Sequence, residues 1–361
     1  MALALGLKAT LLAAHPLGAR TPHRLRATVT IRDVARAAGV SVATVSRAVN
    51  ESHLVAGETL ARVRGVASSM GYVPHGAARS LVMRRTHTIG VLLPDLYGEF
   101  FSEVIRGIDQ TVRRAGYHCL VSSAQHDGTQ LESALASMRG RVDGLILMSP
   151  EFTGDLPRRT LQGDFPVVLL NCPPTDLAFD SLSVANYDGA YAMVQHFIGL
   201  GHRRIAMIQG AVGNFDAAER LRGYRAALLE AGLPLAPELE VPGDFSEGSG
   251  DAATRVLLQQ AARPTAIFAA NDAMAIGALS ALREAGVRVP EEIALGGFDD
   301  IPMARYLAPA LTSVHVDISA LGARTAARLL ARLDRTPGHG PIRDILPTTL
   351  VVRRSCGMQV S

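Results

Sequence analysis

From Thr88 onward, short apolar runs alternate with amphipathic helical stretches: "TIGVLLP", "HCLVSS", "DGLILM" and "PVVLLN", then "RIAMIQ", "TAIFAA" and "IALGGF". Runs that are apolar on both faces and separated by helices bury themselves in a parallel sheet covered by helices on each side. The first four runs are expected to fill one sheet and the later three a second. Ligands in such folds bind outside the carboxyl ends of the strands. The residues that end these runs are therefore the ones to inspect.

They form a coherent set. The first run leads into Asp95 and "LYGEFF", which offers Tyr97, Phe100 and Phe101; the fourth ends at Asn171. "QGAVGNFDAAERLRGYR" places Arg220 on the first helix of the second sheet, "AANDAMA" offers Asn271 and Asp272, and "GGFDD" offers Asp299. Carboxylates and amides suit the hydroxyls of a polyol, a guanidinium grips two oxygens at once, and an aromatic face covers the C–H side of a sugar ring. Taken singly, each is as well explained as a strand-end cap or a solvated loop residue. Core packing explains Phe100 and Phe101 equally, with one of the two expected in the core.

The front of the chain is built differently. In "TIRDVARAAGV" Thr30 can cap a helix whose inner face is Ile31, Val34, Ala35 and Ala38. Gly39 permits a tight turn, Val40 plugs it, and Ser41 caps a second helix starting at Val42. There Val45, Ala48 and Val49 share one face, while Val42, Ala43, Ser46, Arg47 and Asn50 point the other way. A third helix over about 57–70 puts Leu60, Val63, Val66, Ala67 and Met70 inside and ends at Gly71. This is the helix-turn-helix plan. In a major groove the Ser41 and Thr44 hydroxyls and the Asn50 amide suit phosphate oxygens, Arg47 suits guanine O6 and N7, and Val42 and Ala43 suit thymine methyls. A protein-docking bundle is the competing reading of the same pattern.

"YVPHGAARSLVMRRT" follows. Pro74 halts the third helix, and residues 76–83 can form one short helix presenting Ala77, Ala78 and Leu81. Such a helix does not persist alone in water. Formed against DNA, it would use Leu81 as a wedge in the minor groove with Arg79 and Ser80 near phosphates. A plain linker is the alternative.

"TIRDVARAAGVSVATVSRAVN", "GYVPHGAARSL" and "IGVLLPD" together resemble the start of a LacI/GalR-family transcriptional regulator, from about Val29 to the C-terminus. The resemblance implies that Val42, Ala43 and Arg47 read bases and that Leu81 is the intercalating hinge leucine. It also implies that Asn171, Arg220, Asn271 and Asp299 line an effector cleft. Four positions depart from the family pattern. Ala56 stands where a capping serine opens the third helix, and His75 replaces the commoner hinge asparagine. "DLYGEFF" lacks an asparagine-proline, and Ala185 replaces a common aspartate in "VANYDG".

The implied fold is α/β: a three-helix head with a hinge helix, then a two-lobed periplasmic-binding-protein-like body with parallel sheets. In this division residues 1–28 are an extension, expected to be disordered or to follow an unused start. Residues 29–73 form the head and 74–87 the hinge and linker. The first lobe takes 88–185 and 313–343, and the second takes 186–312 and 344–361. A length of 361 residues accommodates these domains. Residues 29–85 carry eight arginines against Asp33, Glu51 and Glu58, whereas the body is acidic. A basic front on an acidic body suits a polyanion at the front and another task behind.

Cys119, Cys172 and Cys356 are too dispersed for a disulfide framework or a zinc site, and a reducing compartment is expected. No segment has the length of a membrane span. GxSxG, HExxH and P-loop motifs are absent, and His202 reads as a helix-end cation. No cofactor or metal is expected. The sequence therefore points to a cytoplasmic, nucleoid-associated, dimeric repressor that binds a double-stranded palindromic operator and is released by a small sugar. The alternatives are a purine-type corepressor, an exported solute-binding protein and a sugar-modifying enzyme.

Overall fold

Thr30 opens the first helix, α1 (Ile31–Ala38), through a reciprocal capping box: its hydroxyl receives the Asp33 N–H, and the Asp33 carboxylate receives the Thr30 N–H at 3.0 Å. Gly39 then adopts φ +65°, a left-handed turn that a side chain disfavours, and Val40 N–H donates back to the Ala35 carbonyl. Helix α2 (Val42–Asn50) starts from Ser41, whose Oγ accepts the Thr44 N–H at 3.1 Å. Helix α3 (Gly57–Ser69) closes the bundle, with no side-chain cap at Ala56. Val34, Ala35, Ala38, Val45, Ala48 and Val63 make its core. The computed structural model describes residues 29–50, 54–72, 85–124, 128–150, 165–174, 179–334 and 340–357. The hinge residues Ala78, Arg79 and Leu81 lie outside the described residues.

The chain divides near Arg84 into this head and a body. In the body β1 (Thr88–Leu93), α4 (Glu99–Arg114), β2 (His118–Ser123), α5 (Gly128–Met138), β3 (Gly144–Met148), β4 (Val167–Leu170) and β5 (Asp180–Val184) build the first lobe. The second lobe begins with α6 (Asn186–Gly199), β6 (Ile205–Ile208), α7 (Phe215–Glu230), β7 (Glu240–Val241) and α8 (Glu247–Leu258). It continues through β8 (Ala266–Ala269), α9 (Asp272–Glu284), β9 (Ala294–Asp299) and β10 (Thr312–His315). The chain then returns through α10 (Ile318–Leu333) and β11 (Arg343–Leu346) before ending on β12 (Thr349–Val351).

Each sheet has six strands, ordered β11-β5-β4-β3-β1-β2 and β12-β10-β9-β8-β6-β7. All pairings are parallel except β10 with β12. All seven apolar runs read from the sequence are strands in the expected sheets. Five further strands escaped it: β5, β7, β10, β11 and β12 are short or carry polar residues. The lobe boundaries need correcting as well. Ser313–His315 pair with β9 in the second sheet and Asp344–Leu346 pair with β5 in the first, the reverse of the expected division. Hydrogen bonding to a neighbouring strand, rather than hydrophobicity, decides where these polar segments belong.

Glycines set how closely the helices approach. A Cβ on Gly107 of α4 would strike the Ser319 carbonyl of α10, and one on Gly322 would strike the Val104 carbonyl. Gly250 and Gly277 make the same reciprocal crossing of α8 and α9, against the carbonyls of Met274 and Glu247. The Asp180 carboxylate is fully buried and holds α10 to the first sheet through two 2.8 Å bonds from Arg332. Burial opposes its charge, but Arg332 and the Ile342 N–H outweigh burial and hold its carboxyl below the usual range.

Gly277→Ala tests the crossing. In an unencumbered helix it would stabilise by about 1 kcal/mol. At this contact it should instead destabilise by about 1–3 kcal/mol, measured as a lowered urea midpoint at unchanged m-value.

Candidate functional site

On the head, Val42, Ala43 and Arg47 are exposed on α2, as are Arg32, Arg36, Arg62 and Arg64 on the neighbouring helices. The apolar pair and the Arg47 guanidinium thus share the solvent side while Val45 and Ala48 anchor the helix beneath. Ser41 and Thr44 bond each other at 2.9 Å, and the Ser41 hydroxyl also caps the helix. Ser41 is exposed and Thr44 partly so. Asn50 ends α2, and its side chain lies outside what is described.

In the body, three of the predicted strand-end residues converge with two that were not predicted. Asn171 follows β4 of the first lobe; Asn186 starts α6, Asp216 and Arg220 lie on α7, and Asp299 ends β9. All five are buried. Arg220 is the hub. Its Nε donates to Asn186 Oδ1 at 2.8 Å, one Nη to the Ala270 carbonyl, and the other to Asp299 Oδ1 at 3.3 Å. Its guanidinium lies 3.7 Å from the centre of the Phe298 ring and 5.8 Å from that of Phe245. Asn186 Nδ2 donates to Asp216 at 2.8 Å, and Asn171 of the opposite lobe is near enough to Asp216 to help lower its carboxyl. Asn171 Oδ1 is buried with no partner.

Burial pushes the Asp216 and Asp299 carboxyls up to about 6, although Arg220 pulls each down. Asp272 is raised further, by full burial and by Asp299 beside it; it accepts from the Ile301 N–H and the Ser313 hydroxyl. Asn171, Phe245 and Asp299 all have left-handed backbones, with φ of 46°, 73° and 100°. Strained conformations of non-glycine residues gather where a site dictates side-chain direction.

The other predicted residues are placed differently. The Asp95 carboxylate folds back onto the Leu96 and Tyr97 N–H groups at 2.6 and 3.1 Å. Tyr97 is 71% exposed. Phe100 and Phe101 contact each other edge to face, and both pack partly against the core. Asn271 spends both ends of its amide locally, capping α9 at Met274 and tying down the Phe245 carbonyl. His202 follows the end of α6; burial lowers its pKa, which weakens it as a helix-end cation, and its Nδ1 lies 3.0 Å from Thr265 Oγ1. Burial likewise raises the Cys119 and Cys172 thiols to about 11 and about 12.

Asp216 and Asn186 escaped the sequence reading because a carboxylate in a first turn and an amide opening a helix both look like ordinary end features. Phe245 escaped because it stands alone in a loop. Two bonds from backbone N–H groups also join the lobes: Phe215 N–H to the Pro150 carbonyl at 2.9 Å, and Met303 N–H to the side-chain Oε2 of Glu99 at 2.9 Å. Among the described residues there is no group of three or more metal-ligating side chains, and no helix long and apolar enough to cross a membrane.

A two-lobed body with a buried polar cluster at the strand ends, carried behind a helix-turn-helix head, defines a ligand-responsive DNA-binding regulator. The comparisons agree. Residues 30–75 match the model of bacterial regulatory proteins of the lacI family, and 194–356 match a periplasmic binding protein-like domain. The chain is 37% identical over 307 residues to the ribose operon repressor of Escherichia coli K12, covering 84% of this chain and 93% of that protein. It is 33% identical over 328 residues to the PurR repressor of Pasteurella multocida, covering 90% and 98%. A lac repressor dimer bound to operator and an anti-inducer superposes with a TM-score of 0.80 at 30% identity, over 91% of this chain and 99% of that one. The chain belongs to the LacI family of bacterial transcriptional regulators.

The raised carboxyls give a pH prediction. Folded Asp216 holds its proton to about pH 6, above the 3.8 usual for an aspartate in an unfolded chain. Its stability contribution is therefore present at low pH and lost as pH rises through about 6. Between pH 5 and 7.5 the wild-type body should lose about 1–3 kcal/mol relative to Asp216→Asn, measured by urea unfolding at both pH values.

Proposed function

We propose that this protein is a dimeric repressor that binds a palindromic operator and is released by a sugar effector held between the lobes of the body. The observation that carries the reading is the buried cluster around Arg220, which joins both lobes through polar side chains suited to hydroxyl groups. The 37% identity to a ribose operon repressor supports a pentose of the ribose class as effector. The protein acts in the cytoplasm, as a regulator and not as an enzyme.

The head of residues 29–73 reads DNA with Val42, Ala43 and Arg47 on bases and Ser41, Thr44 and Asn50 on phosphates. The 74–87 segment inserts Leu81 at the operator centre, with Ala78 and Arg79 beside it. In the body Asn171, Arg220 and Asp299 hold effector hydroxyls, joined by Asp216 and by the Phe245 ring. Asp95, Tyr97, Phe100, Phe101 and Asn271 frame the mouth and floor of that site. Two-fold symmetry matches the palindrome and doubles the small set of contacts each head makes.

A purine corepressor is the second reading, favoured by the 33% identity to PurR. A reporter assay separates the two on Asp299→Asn, an isosteric change that leaves the head intact. Losing the carboxylate should weaken effector binding by about 1–3 kcal/mol. For a sugar inducer the result is repression that the effector no longer relieves; for a corepressor it is permanent release. Effector response at wild-type concentrations would overturn the site assignment.

The head carries its own prediction. Arg47→Ala should weaken operator binding by about 1–3 kcal/mol and relax the preference at one base pair per half-site, as read from a panel of singly substituted operators. Equal losses on operator and random DNA would assign Arg47 to phosphate instead.

A further inference from the structure

We propose that the cluster selects an uncharged, hydroxyl-rich effector against its phosphorylated and carboxylated counterparts, and that Asp216 with Asn171 sets this selection. The inference rests on the reading of the cluster as the effector site and names the chemical class that site accepts.

The balance of charges and of hydrogen-bonding atoms carries it. Two buried carboxylates, Asp216 and Asp299, share one guanidinium, and Asp272 sits behind them as a third buried acid. Arg220 is committed on three sides, to Asn186, Ala270 and Asp299. Phe298 covers its face. Three of its five N–H groups are therefore already engaged, and its single charge is set against two carboxylates, so the cluster offers an incoming anion no surplus of positive charge. The cluster's spare capacity is mostly acceptor capacity. Asn171 Oδ1 is buried without a donor, and both carboxylates retain lone pairs beyond the bonds they make. Asn186, by contrast, has spent both N–H groups on Val184 and Asp216.

A ligand that completes this set must donate hydrogen bonds, as sugar hydroxyls do. A phosphate or carboxylate brings only acceptors and places a like charge beside Asp216 and Asp299 in a water-poor setting, where such juxtapositions are costly. Asp216 is the residue to single out. It receives the Asn186 amide of its own lobe at 2.8 Å and lies near Asn171 of the other, so its negative charge stands beside the unpartnered Asn171 Oδ1.

The test is a thermal-shift and calorimetric titration of the full chain at pH 7.5. Its probes are D-ribose, D-ribose 5-phosphate and D-ribonate, with other neutral sugars, their phosphates and purine bases alongside. Charging the sugar at either end covers both orientations in the site. The expected result is binding of the neutral sugar with its two anionic forms at least about 100-fold weaker. Asp216→Asn, nearly the same shape, should narrow that gap to within about tenfold, chiefly by admitting the anions.

An anion that binds wild type within tenfold of its neutral parent overturns the selection and leaves the sugar reading standing. A gap unchanged in Asp216→Asn overturns the role given to Asp216. A response to purines alone, or to none of the probes, overturns the sugar reading and this inference together. The wild-type comparison needs no variant, so a poorly folding Asp216→Asn leaves the selection fully tested.

Discussion

A single buried guanidinium is what the second lobe and its cluster are arranged around. Among the described residues Arg220 is the one cation facing both Asp216 and Asp299, and without it these two carboxylates would lose their compensation in the interior. Removing one partner of such a pair costs far more than the pair gains over an apolar substitute. The planar fork of arginine matters here. It reaches an amide, a backbone carbonyl and a carboxylate in one plane while presenting a flat face to Phe298, which a lysine ammonium does not.

That geometry depends on how closely the helices approach. Gly223 lies one turn beyond Arg220 on α7, and a Cβ there would strike the Tyr187 carbonyl of α6. The absent side chain lets α7 lie directly against α6, which brings Asn186, the first residue of α6, to 2.8 Å from the Arg220 Nε. The glycine crossings of α4 with α10 and of α8 with α9 apply the same device elsewhere. In each case backbone-to-backbone approach, not side-chain bulk, fixes the distance between layers.

Polar contacts are among those that join the lobes. Asn171 lies near Asp216, Glu99 receives the Met303 N–H, and Pro150 receives the Phe215 N–H. A ligand shifts a conformational equilibrium only by as much as it binds one arrangement better than another. An effector that donates to Asn171 and Asp299 together contacts both lobes, so its affinity depends on how they are set. This is the physical requirement for coupling effector binding to a DNA-binding head.

Much of this was legible in the chain itself. The capping box at Thr30, the left-handed turn at Gly39 and the inward face of Val34, Val45 and Ala48 follow from local rules, because caps and helical periodicity act within a few residues. The seven apolar runs identified the parallel sheets, the rule that ligands sit at strand ends pointed to Asn171 and Asp299, and Arg220 was read onto the first helix of the second sheet. Tertiary structure alone decided the rest. It moved Ser313–His315 and Asp344–Leu346 into the opposite sheets from those expected, since partner strands claim polar segments by hydrogen bonding. It turned Asn271 into a cap and turned the Asp95 carboxylate back onto its own loop. It brought Asn186, at the start of α6, to Arg220 on α7 across a glycine crossing. Periodicity records which face of an element is buried; which other element it is buried against is set by contacts between residues far apart in the chain.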